Sequence, residues 1–338
     1  MSNRQTRIHP MKTRPISLFK AICATLILLS LQTIEVKAQQ SKLEVGFNYG
    51  FSNFLGDLGG NAGKGKTFLK DNMVSLTKFM TGAHVTYRVN EFISFSFSAN
   101  IGRLAGADSL INGLGGYEEA RKARNQHFRS PLKEALLVTE IYPTALFEYD
   151  PEDVYHRIRP YFVLGVGVFN FKPQAEYVAE DGSKSWVDLK PLKTEGQGMA
   201  KYADRKEYKL TQMNLPYGFG LKYYFNQNVA LAFEIVNRKT FTDYIDDVST
   251  NYISNEDFYA HFGEESPEAK MAIQMANKTA FANGGVFRPS YGEGNKRGTA
   301  SNKDAYYAST LKLSIRLGRN NESNYGRNSG VKCPVVRF

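Results

Sequence analysis

Cysteine is nearly missing from this chain: 338 residues contain two, Cys23 and Cys333. Cys23 sits in the N-terminal segment, so a chain that has lost that segment keeps one thiol and forms no internal disulfide. Histidine is sparse as well. His9, His84, His127, His156 and His261 are dispersed, with no pair at zinc-ligand spacing. No nucleophile-elbow pattern occurs and nothing groups a Ser, a His and an Asp, so no enzyme and no cofactor is expected. Also lacking is an apolar run of the roughly 20 residues a transmembrane helix needs. The pronounced run, Ala21–Leu31, is too short for that.

That run has another use. Arg4, Arg7, Lys12, Arg14 and Lys20 precede it, and Val36-Lys37-Ala38 offers small residues before Gln39. This is the layout of a cleavable secretory signal peptide over residues 1–38. Glu35 and Lys37 close off extension into an anchor helix, and Cys23 lies inside the run rather than after it, against a lipoprotein anchor. The segment holds six Lys/Arg and one Glu, so the remainder carries 37 positive against 32 negative side chains, +5 instead of the full chain's +10. The residual basicity is scattered and leaves no nucleic-acid footprint.

What the chain has in plenty is aromatic residues and glycine: 20 Tyr, 23 Phe and 29 Gly. Period-two alternation organises them. Leu43, Val45, Phe47, Tyr49 and Phe51 alternate with polar or small residues, as do Ala83–Val89 and Ile93–Ile101. Leu137–Tyr149 alternates less cleanly. Arg159–Pro173, Met213–Tyr223, Val229–Ile235 and Leu311–Leu317 complete eight candidate strands of bilayer-crossing length. Connections after the second, fourth and sixth are short (Asn90-Glu91, Asp150–Ile158, Asn226-Gln227-Asn228). Those after the first, third, fifth and seventh are long (Leu55–Phe79, Leu104–Glu134, Lys172–Leu210, Lys239–Tyr307). The pattern predicts an all-β, antiparallel, eight-stranded outer-membrane β-barrel over residues 39–318, with periplasmic turns, long extracellular loops and a periplasmic tail over 319–338. A soluble lipocalin-like barrel is the rival, but its polar face would favour Lys, Glu and Thr over the Gly, Ser and Ala found here.

With apolar faces turned to lipid, the lumen receives Glu44, Glu140, Glu148 and Glu234 against Arg88, Arg103, Lys222, Arg238, Lys312 and Arg316. Eight strands leave an interior about wide enough for side chains to fill, so these charges are expected to pair into a plug. In the last long loop, Ser266-Pro267-Glu268 predicts an N-capped helix ending near Asn283, with Met271 and Met275 on one packed face. Gly60–Thr67 (GNAGKGKT) formally matches a phosphate-binding loop, but it follows a lipid-facing strand with no βαβ unit, so no nucleotide is expected. Asp243, Asp246 and Asp247 could be read as a calcium site; lacking EF-hand spacing, they read better as carboxylates that order their own loop.

The segments NYGFSNFLGDLGG (Asn48–Gly60), RPYFVLGVGVFNFKP, NLPYGFGLKYYF (Asn214–Phe225) and TFTDYIDDVSTNY (Thr240–Tyr252), in this order, resemble the PorG-like outer-membrane barrels of the type IX secretion system. The Cys-Pro ending, Cys333–Phe338, is similar too. The resemblance implies a non-enzymatic barrel tied to periplasmic lipoprotein and ring components of a protein-export machine. A small structural or adhesive outer-membrane barrel is the alternative. Cys333, Pro334 and Phe338 form the expected partner-binding end of the tail, with the odd thiol free or paired to another chain; the resemblance makes a lipoprotein the mate.

Overall fold

The computed structural model describes residues 42–58, 74–111, 118–147, 157–226, 228–264, 266–282 and 289–317. The expected signal peptide, the GNAGKGKT loop, Glu148 and the tail with Cys333, Pro334 and Phe338 lie outside the described residues. Ten strands form: β1 (Leu43–Leu55), β2 (Lys78–Arg88), β3 (Ile93–Ala107), β4 (His127–Ile141), β5 (Ile158–Phe171), β6 (Gln174–Val178), β7 (Lys184–Asp188), β8 (Thr211–Tyr224), β9 (Val229–Thr240) and β10 (Ala305–Leu317). Eight of them close on themselves in the order β1-β2-β3-β4-β5-β8-β9-β10, all antiparallel, with β10 returning to β1. Closure leaves no unpaired edge, the condition for strands to cross hydrocarbon. Among the described residues no helix is long and apolar enough to cross a membrane.

The polarity of this barrel is the inverse of a soluble one. Phe47, Phe97, Phe162, Leu164, Phe219 and Leu313 are among the large apolar side chains on its outside, while Glu44, Asn48, Glu140, Glu234 and Lys312 are buried within. So extensive an apolar surface is incompatible with water and marks contact with lipid. On β5 the outward apolar positions run from Ile158 to Val168. Ten residues at ~3.3 Å, tilted ~45°, give a belt about 23 Å tall, close to the thickness such barrels present. Exposed aromatics Tyr87, Phe92, Phe147, Tyr223 and Phe225 ring the short-turn end.

The turns explain themselves locally. Asn90 Oδ1 accepts the N–H groups of Phe92 (2.9 Å) and Ile93 (2.8 Å), and Asn226 Oδ1 those of Asn228 (2.8 Å) and Val229 (2.9 Å). An Asn that bonds its own downstream backbone reverses the chain in few residues.

Three sequence-based expectations need correction. The fourth strand spans His127–Ile141, and Pro143–Phe147 is a 3-10 turn. Its first half was hidden because the polarity flips above the lipid belt: Phe128 and Leu132 point inward while Lys133 points out. Arg103, expected in the lumen, shares the outer face with Ile101 and is exposed. The capped helix ends at Ala276, where Asn277 and Lys278 break it before a short helix at Thr279–Ala282. Ser266 caps it as expected, its hydroxyl accepting the Ala269 N–H at 3.0 Å.

Phe97→Arg puts a charge at mid-belt and is expected to cost about 2–4 kcal/mol of folding free energy in lipid vesicles, whereas Ser96→Ala on the opposite face costs far less. Equal costs in folding titrations would invalidate the facing assigned to β3.

A charge-filled lumen beneath a folded cap

At the short-turn end, Glu44 of β1 receives Lys222 (2.5 Å), Arg88 (3.0 Å) and Arg316 (3.3 Å). Midway, Lys312 Nζ bridges Glu140 (2.9 Å) and Glu234 (2.8 Å), while the Tyr142 and Tyr161 hydroxyls donate to the same two carboxylates at 2.5 and 2.6 Å. Glycine makes room for this: a Cβ on Gly220 would lie 2.4 Å from the Tyr161 ring. Higher up, Glu134 accepts from Arg238 (2.8 Å), Tyr306 (2.8 Å) and Asn100 (3.0 Å). His84 links the levels through Asn48 (2.6 Å) and Ser314 (2.9 Å). Buried carboxylates and cations therefore meet across strands, as the desolvation cost of a lone charge demands.

A cavity of about 20 Å³ lies among Asn48, Ser96, Ser98, Asn100, Glu234 and Lys312, room for about one water. Above it Phe54, Met80, Leu104, Phe128, Leu132, Phe169 and Phe171 pack into an apolar lid. Ring stacking continues upward from Phe169 to Phe171 (5.5 Å), Tyr208 (6.1 Å) and Tyr244 (4.8 Å).

The long loops build a second compact layer on this lid. Its elements are the β6–β7 hairpin and helices α1 (Glu118–Arg124), α2 (Asn255–Phe262), α3 (Pro267–Ala276) and α4 (Thr279–Ala282). Met275 is buried, with Met271 packed beside it, in an apolar cluster with Leu189, Met199, Phe258 and Ile273. Two buried arginines tie the loops together. Arg124 grips Asp108 with two bonds (2.7 and 3.0 Å) and donates to the carbonyls of Asp57 (2.6 Å) and Arg297 (2.7 Å). Arg297 pairs with Glu195 (2.8 Å) and donates to the Ala276 carbonyl (3.1 Å). Glu195 also accepts the Ser249 and Thr250 N–H groups at 2.8 and 2.9 Å.

The Asp243–Asp247 block works largely as loop-ordering carboxylates. Asp246 accepts the Leu58 and Val248 N–H groups, each at 3.0 Å, and Asp247 accepts from Tyr208 (2.7 Å) and Thr194. Asp247 adopts left-handed backbone (φ 64°), which a short side chain bonded this way tolerates. Asp304 accepts the Ile245 N–H at 2.8 Å. Asp243 differs: it is buried, and neither carboxylate oxygen has a hydrogen-bond partner of good geometry, Ser249 being the nearby donor. Among the described residues no three His, Cys, Asp or Glu are arranged to hold a metal ion. Burial, reinforced by the Asp57 charge, pushes Asp243 up to about 7; burial lifts Asp247 to about 6. Asp246 and Asp304 lie well above the usual carboxylate range for the same reason, aided by mutual repulsion.

Of the charges expected in the lumen, Glu44, Arg88, Glu140, Glu234, Arg238 and Arg316 face the interior. Sequence reasoning missed Glu134, Glu195, Asp108, Arg124, Arg297 and Asp304. Their partners lie far off in sequence, and no periodicity marks a loop carboxylate.

These weakened acidities fix a pH dependence. The folded cap holds protons that the unfolded chain releases near pH 4, so its stability is full below that and declines as pH rises toward 7. Once the intrinsic hydroxide-catalysed rate is divided out, the protection factors of the Leu58, Ile245 and Val248 amides should be about tenfold higher at pH 5.5 than at pH 8, a shift worth one pK unit. Asp243→Asn should flatten that difference. Protection that is equal at the two pH values, or lower at pH 5.5, would refute the assignment.

A model of the outer membrane protein beta-barrel domain matches residues 21–263, more than half of the chain. No curated protein matches. Solved structures similar to it include Ail, the attachment invasion locus protein of Yersinia pestis, at 8% identity over 82% of this chain and 99% of that one, TM-score 0.32. Neisserial surface protein A is similar at 10% identity, 82% and 99% coverage and TM-score 0.32. OprG of Pseudomonas aeruginosa is similar at 10% identity, 83% and 99% coverage and TM-score 0.32. An eight-stranded barrel with an apolar outside, a polar inside and this family match is a member of the outer-membrane β-barrel domain family, seated in the outer membrane.

Proposed function

We propose that the barrel is a non-enzymatic anchor that organises periplasmic lipoprotein and ring components of the type IX protein secretion system. The observation that carries the anchoring half of this reading is the ion-paired lumen, where Lys312 bridges Glu140 and Glu234 across the bore. A barrel so filled acts through its ends. The secretion half rests on the resemblance of Asn48–Gly60, Arg159–Pro173, Asn214–Phe225 and Thr240–Tyr252 to PorG-like barrels.

On this reading the tail beyond the barrel reaches into the periplasm, because barrel termini share the side of the short turns. Cys333 would pair with an unpaired cysteine of a lipoprotein there, as Pro334 and Phe338 dock beside it. The cross-tied cap favours a second reading, a structural or adhesive barrel whose working surface faces outward. Arg124 and Arg297 hold that surface in one shape.

Pull-down from detergent-solubilised envelopes separates the two. Anchoring predicts recovery of lipoprotein and ring subunits, and a higher-mass band on non-reducing gels that disappears on reduction and in Cys333→Ser. Recovery of the barrel alone, as a monomer whose thiol is freely alkylated, would favour the structural or adhesive reading.

A further inference from the structure

The lumen cations named above all have carboxylate partners, whereas outer-face cations such as Lys239 of β9 do not, and two of these unpaired cations lie side by side. Arg103 of β3 and Lys133 of β4 are exposed on the side that meets lipid. Among the described residues neither forms an ion pair. Register places them together: Lys133 stands opposite Ile101, and Arg103 opposite Pro131, so the two are diagonal neighbours about 7–8 Å apart at the backbone.

Their height is informative. Lys133 is level with Asn170, and Asn170 with Thr211, to which it donates at 2.9 Å. One step toward the short turns, the same strands present Ala135, Val168 and Met213. The polar row is therefore the upper edge of the apolar belt, where hydrocarbon gives way to lipid headgroups at the extracellular side. Beside it a groove of about 410 Å³ opens on the outer face between Tyr49, Lys78, Phe79, Thr81, Ile101, Gly102 and Arg103. Below Thr81 the register aligns Ala83, Ala99 and Ala135 in one row, which continues the depression into the belt.

A paired cation site at headgroup depth above an apolar furrow matches one class of ligand: an amphiphile with a phosphate head and an acyl chain. We propose that this face of β2–β4 seats a phosphorylated lipid of the outer leaflet. Arg103 and Lys133 hold the phosphate, the guanidinium able to give two parallel bonds and the ammonium a point charge. The acyl chain lies along Thr81 and the alanine row, walled by Tyr49 and Phe79.

The full chain in nanodiscs of zwitterionic lipid, titrated with diphosphoryl lipid A and read by native mass spectrometry, tests this. Expected is retention of one lipid A, with at least a tenfold loss of affinity for Arg103→Gln/Lys133→Gln. Thr81→Phe, which fills the furrow and leaves both cations, should also weaken retention. Dephosphorylated lipid A should bind no better to wild type than to the double variant. Inorganic phosphate alone should not compete at equal concentration. Equal retention of diphosphoryl lipid A by wild type and double variant, binding of the dephosphorylated lipid to wild type as tight as that of the diphosphoryl lipid, or full competition by free phosphate would each overturn the assignment. Heat-modifiable gel migration verifies that the variants fold.

Discussion

A charge taken into the interior of this barrel must meet its opposite, and much of the architecture follows from that. Lys312 sits between Glu140 and Glu234 with a tyrosine hydroxyl on each carboxylate. Removing one member of such a set strands its partners, at a cost of about 3–5 kcal/mol. The pairing needs eight strands in a fixed register, because the partners come from β4, β9 and β10 and from opposite walls. Register in turn is held by the outer face, where a slip of one residue would carry the lumen charges into lipid.

The cap obeys the same rule by different means. Above the belt the interior becomes apolar and aromatic, and the loops resting on it bury backbone that no sheet satisfies. Arg124, Arg297, Glu195, Asp246 and Asp304 supply the missing hydrogen bonds. Asp243 is the exception, buried with no well-formed hydrogen bond beyond the approach of Ser249, and a proton is the simplest neutraliser for it. The cap thereby becomes the pH-sensitive layer, firmer in acid, over a barrel whose charges are matched.

The barrel was legible in the sequence because lipid on one side and a polar lumen on the other impose a strict period of two. Phe95 against Ser96 needs no tertiary information to read. Where that boundary condition ends, so does legibility: Phe128 and Leu132 of β4 turn inward above the belt, and the alternation inverts. Arg103 misled for a related reason. A charge in a strand reads as lumenal, but at headgroup height the outer face accepts one. The cap's arginine ties, such as Glu195 with Arg297, join residues about a hundred positions apart and leave no local trace. Asp246 and Asp247 were recognisable only as a carboxylate cluster, without the amides and hydroxyls they would meet.

Single-channel recording in planar bilayers reaches the central claim, a lumen closed by its own ion pairs. The account predicts that the purified full chain inserts and shows no steady large conductance. A reproducible open channel of porin size would contradict it.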